Sequence, residues 1–490
     1  MSLSAALNTA VYGLQTLQNQ TRIVSGNVAN AQNPNYSRKV TALTTPIAGG
    51  LPQAPLIASI TRVAAPELTQ DLLKATGDFG RLEQQLAYAK ELAETLDATN
   101  TTGAQPTLLA MMTRFEDSWK QLEATPENND LKAQVILRGN ELTAEIRRLN
   151  GLQSELQNRA QQNIRDNIDS INLSAIEIAK LNNQISAQKS SGAPIGDLED
   201  LRDSEIAKLA DKVGVRTILN DRGEVFVYTD GGVQIVGTAA QQFQYNTTAV
   251  PPATPGIYLA GSTQDVTAGF RNGSVRASID YLDTTTVGVA SSDPNVASLQ
   301  KFFNQLDSFA SNLAAVVNEA YDPTNATQFF TFIAPATPGQ EAGFIQVDVA
   351  LQGTPANLDA TVAGTVQQAM RNQTLTANQI QRTTAAAATP TFPQAVTVDP
   401  NGLVIANVNI YGLLNGVLAY AARATAVNES NRDTAERVQH TIDQKVRNLT
   451  GVNIDDELAQ LQVLQNNYAA LANVMNTVTK MFDELVNIGR

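Results

Sequence analysis

Cysteine is absent from the 490 residues, histidine occurs once, at His440, and tryptophan once, at Trp119. A disulfide framework and a thiolate site are therefore impossible, and a multi-histidine metal site is excluded. No apolar run reaches the roughly 18 residues that a membrane-spanning helix needs, so no membrane insertion is expected. Basic clusters are also missing. The formal net charge is -13, which argues against nucleic acid or an anionic membrane as partner, since both reward grouped Lys and Arg. The first 25 residues have no charged start, no continuous apolar core and no small-residue cleavage site, so no cleaved secretory signal is expected. Nucleophile elbows, phosphate loops and His-carboxylate clusters are lacking as well. An enzyme carried by the central β-rich stretch is the alternative from a different class, and nothing in the sequence supports it. No catalytic residue, cofactor or metal is expected.

What the chain does have is a helical stripe at each end. The first runs Leu3, Leu7, Ala10, Leu14, Leu17, Thr21, Val24 and Val28, its spacing alternating four and three as in a coiled-coil seam. The second runs Ile454, Leu458, Leu461, Gln465, Tyr468, Ala472, Met475, Thr479, Phe482 and Val486. Beside it Leu464, Leu471, Val478 and Leu485 recur every seven residues. That apolar face is broad enough to touch an amino-terminal partner and still leave surface for neighbouring molecules. The expected assembly interface is therefore Leu3, Leu7, Leu14, Leu17, Val24 and Val28 with Ile454, Leu458, Leu461, Leu464, Tyr468, Leu471, Met475, Val478, Phe482 and Leu485.

Between the ends, residues 80–190 read as helical: Arg81 to Leu96, Thr107 to Leu122, a third helix after the Pro126 to Asp130 turn through Leu149, and a heptad-like helix marked by Ile164, Ile168, Ile171, Ala175, Ile178 and Ile185. From Val213 the pattern shifts to short β runs at 213–219, 224–229 and 233–236, with a turn at Asp221 to Gly223. Helical spacing returns with Leu299, Phe302, Phe303, Leu306, Phe309, Leu313, Val316 and Val317. Residues 322–402 are irregular, with one strand expected at Phe344 to Val349 and a linker at Thr383 to Pro393. A last long helix before the second stripe spans Leu413 to Leu449, its stripe interrupted by Asn428 and Asn431.

The expected fold is mainly α with an inserted β domain. Paired amino- and carboxy-terminal coiled-coil helices (1–50 with 451–490) would join a central helical bundle (51–212 with 296–450, irregular over 322–402). A small β-rich outer domain (213–295) would be inserted in that bundle.

Three polar features have structural readings. Asn453 suits a helix cap, and Asp455, Asp456 and Glu457 in the first turn meet the helix dipole rather than a metal. His440 lies in a polar register and is expected to be solvated. Trp119 falls at helical spacing with Phe115 and Leu122, and is expected in a core or interface.

The sharpest motif follows the first stripe: Asn27-Val28-Ala29-Asn30-Ala31-Gln32-Asn33-Pro34-Asn35-Tyr36-Ser37-Arg38. Locally, Asn27 and Asn30 suit a helix end and Pro34 forbids continuation. A loop aromatic beside a cation, as at Tyr36 and Arg38, also suits an interface anchor. The segment resembles the amino-terminal signature of the bacterial flagellar rod, hook and hook-associated family, Ala-Asn-x-x-Thr-Pro-Gly-Tyr-Ser-Arg. Its signature residues here are Asn27, Ala29, Asn30, Pro34, Tyr36, Ser37 and Arg38, with Asn33 and Asn35 in place of Thr and Gly. Gly451 to Glu457, followed by Leu461, Gln465, Tyr468, Ala472 and Phe482, is similar to the family's carboxy-terminal signature. Phe115 to Trp119, Leu122 to Asn128 and Asp197 to Val215 are similar to the helical domain of the hook-associated branch, whereas 213–295 and 322–402 match poorly.

That resemblance implies a structural, secreted subunit of the flagellum at the hook-filament junction. Its terminal helices would form an inner tube and its β domain would point outward. Export would run through the type III channel, with the termini unstructured before assembly. Implied partners are further copies of the chain in a ring, the hook protein, the filament-side hook-associated protein and an export chaperone before secretion. A hook or rod subunit, or a flagellin-like filament-side protein, shares the terminal logic and stands as the alternative.

Overall fold

The computed structural model describes residues 3–45, 47–48, 51–52, 55–97, 106–246, 255–282, 298–324, 326–333, 340–375 and 408–488. It is mainly helical, with a few small antiparallel sheets. Helix α1 (Leu3–Ala29) leads into a β-hairpin in which β1 (Lys39–Thr44) pairs with β4 (Leu56–Arg62), and β2 (Ile47–Ala48) with β3 (Leu51–Pro52). Helix α2 (Pro66–Asp97) opens on a proline with Glu67 in its first turn, where a missing N–H costs nothing and a negative charge meets the dipole. Helix α3 (Leu108–Ala124) is capped by Thr107, whose hydroxyl accepts the Ala110 N–H.

Helix α4 (Asn129–Ser190) runs 62 residues without a break from its Asn128 cap. The sequence suggests two helices here, one ending at Leu149. The structure joins them because Leu149, Leu152, Leu156, Ala160 and Ile164 keep three-and-four spacing across Gly151, with no proline between. One glycine costs a helix about 1 kcal/mol relative to alanine, less than burial of those side chains returns. The helix stops at Gly192, whose φ of 76° is readily open only to glycine. Helix α5 (Gly196–Lys212) then packs back on α4 and α2.

Strands β5 (Val215–Leu219), β6 (Val225–Thr229) and β7 (Gln234–Val236) form an antiparallel meander, and β8 (Phe243–Asn246) pairs with β9 (Gly256–Leu259). The expected β-rich stretch through 295 is shorter than that, because residues 273–282 form helix α6 (Gly273–Leu282), packed on α2 and α4. All of its residues are buried. A helix covered on every side carries no amphipathic stripe, so periodicity does not reveal it. Nor do the strands carry a core of their own. Val215, Val225, Val227, Ile235, Val236, Phe243 and Ile257 belong to the same apolar cluster as Trp119, Ile168 and Leu306.

Helix α7 (Leu299–Tyr321) returns to the bundle with its whole expected face buried. Strand β10 (Phe330–Phe332) pairs with β11 (Ile345–Val347), the latter shorter than the strand expected at 344–349. Helix α8 (Ala363–Asn372) follows, and the Thr383 to Pro393 linker lies outside the described residues. Helix α9 (Ile410–Thr450) packs along α2, with Arg432 Nε 2.7 Å from Glu83 Oε2. Asn428 is buried and donates to the Ala424 carbonyl, whereas Asn431 and His440 are exposed. Helix α10 (Ile454–Ile488) ends the fold. Among the described residues, no helix is long and apolar enough to cross a membrane.

The centre of the bundle is aromatic. Trp119 is fully buried, with ring centroids 5.2 Å from Phe329 and 6.2 Å from Phe115. Gly139 of α4 lets this layer approach, because a Cβ there would sit 2.9 Å from Val347 Cγ2 and 3.1 Å from Phe329 Cε1. Gly139→Ala gains about 1 kcal/mol of helix propensity but overpacks a stiff Val and an aromatic ring, at a cost of about 1–3 kcal/mol. The expected net result is a lower melting temperature by circular dichroism.

Candidate functional site

The two ends of the chain meet as the sequence suggests: α1 packs along α10. Ala10, Leu14, Leu17 and Val24 are buried on α1, with Leu7, Thr21 and Val28 half-buried. On α10 the buried residues are Leu464 and Val478, flanked by half-buried Leu461, Leu471, Met475 and Phe482. Leu17, Val24 and Leu464 form a small apolar cluster of their own, lined by Leu461 and Leu471 and separate from the main core. At Gly13 the helices come close enough that a Cβ would stand 3.0 Å from Leu471 Cδ1.

On α10 the seam therefore takes in the heptad of Leu464, Leu471 and Val478 together with Leu461, Met475 and Phe482 of the other row, and leaves Ile454, Leu458 and Tyr468 outside it. Ile454, Leu458 and Tyr468 are 40%, 50% and 41% exposed, and Val463, Val474 and Met481 are exposed as well. Leu3 and Leu485 lie in the helices, but their side chains fall outside the described residues. From Leu458 to Thr479, α10 carries no charged side chain, and α1 carries only Arg22.

At the root of this pair the signature segment builds a polar clasp. Helix α1 ends at Ala29, and the Asn30 side-chain amide donates at 2.9 Å to the Gly26 carbonyl, which also accepts the Asn30 N–H at 3.1 Å. Exposed Pro34 prevents continuation, and Asn33 Oδ1 accepts the Asn35 N–H, turning the chain back. Asn27 does not cap. It is buried; its Oδ1 accepts from the Tyr36 hydroxyl at 2.8 Å and from the Lys39 N–H at 3.0 Å. Its Nδ2 donates to the Lys39 carbonyl and to Glu457 Oε2, both at 2.9 Å.

Glu457 is fully buried, and its other oxygen accepts Arg38 Nε at 2.6 Å. Arg38 also joins by its backbone: its N–H donates to the Thr450 carbonyl at 2.7 Å, and its carbonyl accepts the Val63 N–H at 2.8 Å. One residue thus touches the end of α9, the end of β4 and the start of α10. Around it, Arg62 reaches Glu199 and Asp200 at 3.1 Å and Asp203 at 2.6 Å, and Lys39 pairs with Asp197 while lying over the Tyr36 ring. The Ser37 N–H donates to Asp200 at 3.3 Å. Burial, with Asp197, Asp200 and Glu457 nearby, pushes the Tyr36 phenol up to about 12, so it stays a neutral donor to Asn27.

Glu457 is the residue that sequence reasoning missed. Grouped with Asp455 and Asp456, it reads as a helix-dipole acid, which fits those two: both are exposed, and Asn453 Oδ1 accepts the Asp455 N–H. The available signal was register, because 457 lies seven residues before 464 and so falls on the apolar seam. A carboxylate there requires a buried partner.

A second buried carboxylate, Glu116 of α3, pairs with Arg371 and accepts from Tyr411 and, at 3.2 Å, Gln367. It ties α8 and the start of α9 to the aromatic core. Among the described residues, no group of three His, Cys, Asp or Glu is placed to hold a metal ion.

With this geometry in view, the match over the helical middle becomes informative. Residues 91–323 match the family described as the flagellar hook-associated protein FlgK helical domain. Over that stretch the chain is similar to the flagellar hook-associated family. Over 99% of its length it is 22% identical to flagellar hook-associated protein 1 of Escherichia coli K12, and the alignment takes in 100% of that protein. Flagellar hook-associated protein 1 of Salmonella typhimurium LT2 is 23% identical, with the same coverage of both chains. Among solved structures, the flagellar hook junction protein FlgK from Burkholderia pseudomallei aligns with 20% identity and a TM-score of 0.42, over 55% of this chain and 47% of that one. The family match takes in the β strands and ends at residue 323.

Proposed function

We propose that this chain is a structural subunit of the bacterial flagellum that joins hook to filament by self-assembly of its terminal helices. The observation that carries this reading is the α1–α10 pair, a seam with apolar side chains left uncovered beside it, and the likeness of the helical middle to the flagellar hook-associated helical domain supports it. In this reading Leu7, Leu14, Leu17, Val24 and Val28 hold α1 to Leu461, Leu464, Leu471, Met475, Val478 and Phe482. Ile454, Leu458 and Tyr468 meet further copies. Residues 1–50 with 451–490 form the inner part, 51–212 with helix α6 and 296–450 the helical shell, and the strands from Val215 to Leu259 the outer face. Such head-to-tail contacts propagate until the next subunit differs, so the partners are copies of itself in a ring, the hook protein below and the filament-side hook-associated protein above. Before export without cleavage, a chaperone covers the apolar terminal faces.

Gold-labelled antibody on isolated flagella tests this reading. A single band between hook and filament is expected. Label along the hook, along the filament or nowhere on the organelle would replace the reading with a hook subunit, a flagellin-like subunit or an unrelated secreted protein.

A further inference from the structure

The small sheets of this fold leave main-chain N–H and C=O groups facing no further strand, and such groups need a partner wherever they are covered. Asparagines on the helices supply one. Asn172 of α4 donates through Nδ2 to the Phe243 carbonyl and accepts the Phe243 N–H at Oδ1, both at 2.8 Å. Asn182 of the same helix is buried and grips Val225 in the same way, at 2.8 and 3.0 Å. Asn318 of α7, also buried, takes Phe330 at 2.8 and 2.9 Å and accepts the Phe329 N–H as well. Asn27 treats Lys39 likewise.

Phe243, Val225 and Phe330 are the first residues of β8, β6 and β10. In each case the preceding carbonyl is already taken by the facing chain: Gln242 by the Ala260 N–H at 2.8 Å, Glu224 by the Asn220 N–H at 3.0 Å, and Phe329 by the Asp348 N–H at 2.8 Å. Bonding alternates along an antiparallel strand, so the next residue turns its N–H and C=O to the opposite edge, where no strand pairs with it. A carboxamide presents an acceptor and a donor side by side, which is what a neighbouring strand would have offered. Buried Arg202 donates to Asn182 Oδ1 at 3.3 Å and to the Gly223 carbonyl at 2.7 Å, which keeps that carboxamide from turning over.

We propose that Asn172, Asn182 and Asn318 are strand-placing residues: each carboxamide stands in for the neighbour its strand lacks, and so fixes where that strand begins and how it lies on the bundle. Apolar contact is non-directional and tolerates sliding, whereas a paired bond to one residue does not. A slip of one residue would turn the gripped groups to the other edge and break both bonds. Because the strands have no core of their own, the two grips on α4 make β6 and β8 move with that helix as one body. This placement concerns the body of the free chain and does not depend on what the chain assembles into.

Amide hydrogen exchange by mass spectrometry on the full-length free chain tests it, with Trp119 emission as a report on the rest of the body. Asn172→Leu keeps most of the side-chain bulk and removes both bonds, and Asn172→Ala removes bulk and bonds together. Each is expected to speed exchange over 241–246 by about tenfold, the effect of one lost hydrogen-bonded pair. Exchange in β6 and α7, and Trp119 emission, should stay as in the natural chain. Asn182→Leu should act over 224–229 and leave 241–246 alone; if that buried variant does not fold, the half-buried Asn172 decides by itself. Faster exchange with Asn172→Ala but not with Asn172→Leu would mark lost packing, and loosening that spreads to α7 would mark general destabilisation. Either result, or unchanged exchange over 241–246, would overturn the proposal.

Discussion

Replacing Leu461 and Leu464 together with Asp is expected to abolish incorporation into the assembly while the body stays folded. Leu464 is 5% exposed and belongs to the small cluster with Leu17 and Val24, which Leu461 lines. Two carboxylates placed there lose the apolar burial of Leu464, about 2–3 kcal/mol, and part of as much for the half-buried Leu461, and set two charges in an apolar seam. Because that cluster is separate from the main core, the loss stays with the terminal pair. Far-UV circular dichroism should fall only by the helical signal of α1 and α10, and Trp119 emission should keep its blue position. A pelleting assay should show no polymer, and flagella from cells carrying only this variant should lack the protein. Normal incorporation of the double variant would refute the role given to the seam.

Trp119→Ala should have the opposite profile, unfolding the body while sparing the terminal stripes. The indole is 0% exposed, with rings of Phe115, Tyr321 and Phe329 around it at centroid distances between 5.2 and 6.3 Å. Its removal leaves a cavity at the crossing of α3, α7 and the β10–β11 pair, at a cost of about 3–5 kcal/mol. Among the described residues the indole N–H has no hydrogen-bond partner, so the expected effect is one of packing. A melting transition within a degree of the natural chain would show that the aromatic layer yields more readily than its density suggests.

Much of this was legible in the residues, and the failures have identifiable causes. Amphipathic helices announce themselves by spacing, as the fully buried face of α7 and the heptad of α4 do. Helix α6 did not, because burial on all sides erases the contrast on which spacing depends. The seam of α10 was legible as two candidate rows, but which residues of each face α1 depends on rotation about the helix axis, and the position of Gly13 against Leu471 gives that rotation only in three dimensions. The signature segment was recognisable as a motif, and its chemistry was not. Nothing local to Asn27 reveals that its partners are Tyr36, Lys39 and a glutamate near the other end of the chain.

The long stretch of α10 without a charged residue has a consequence for how such a structure is held together in changing surroundings. Ions screen attraction between charges, and from Leu458 to Thr479 there are none to screen. Cohesion along these helices rests on exclusion of water, which added salt strengthens slightly and cold weakens. A flagellum built on them would keep its joint in fresh water and in brine alike, and the vulnerable condition would be low temperature.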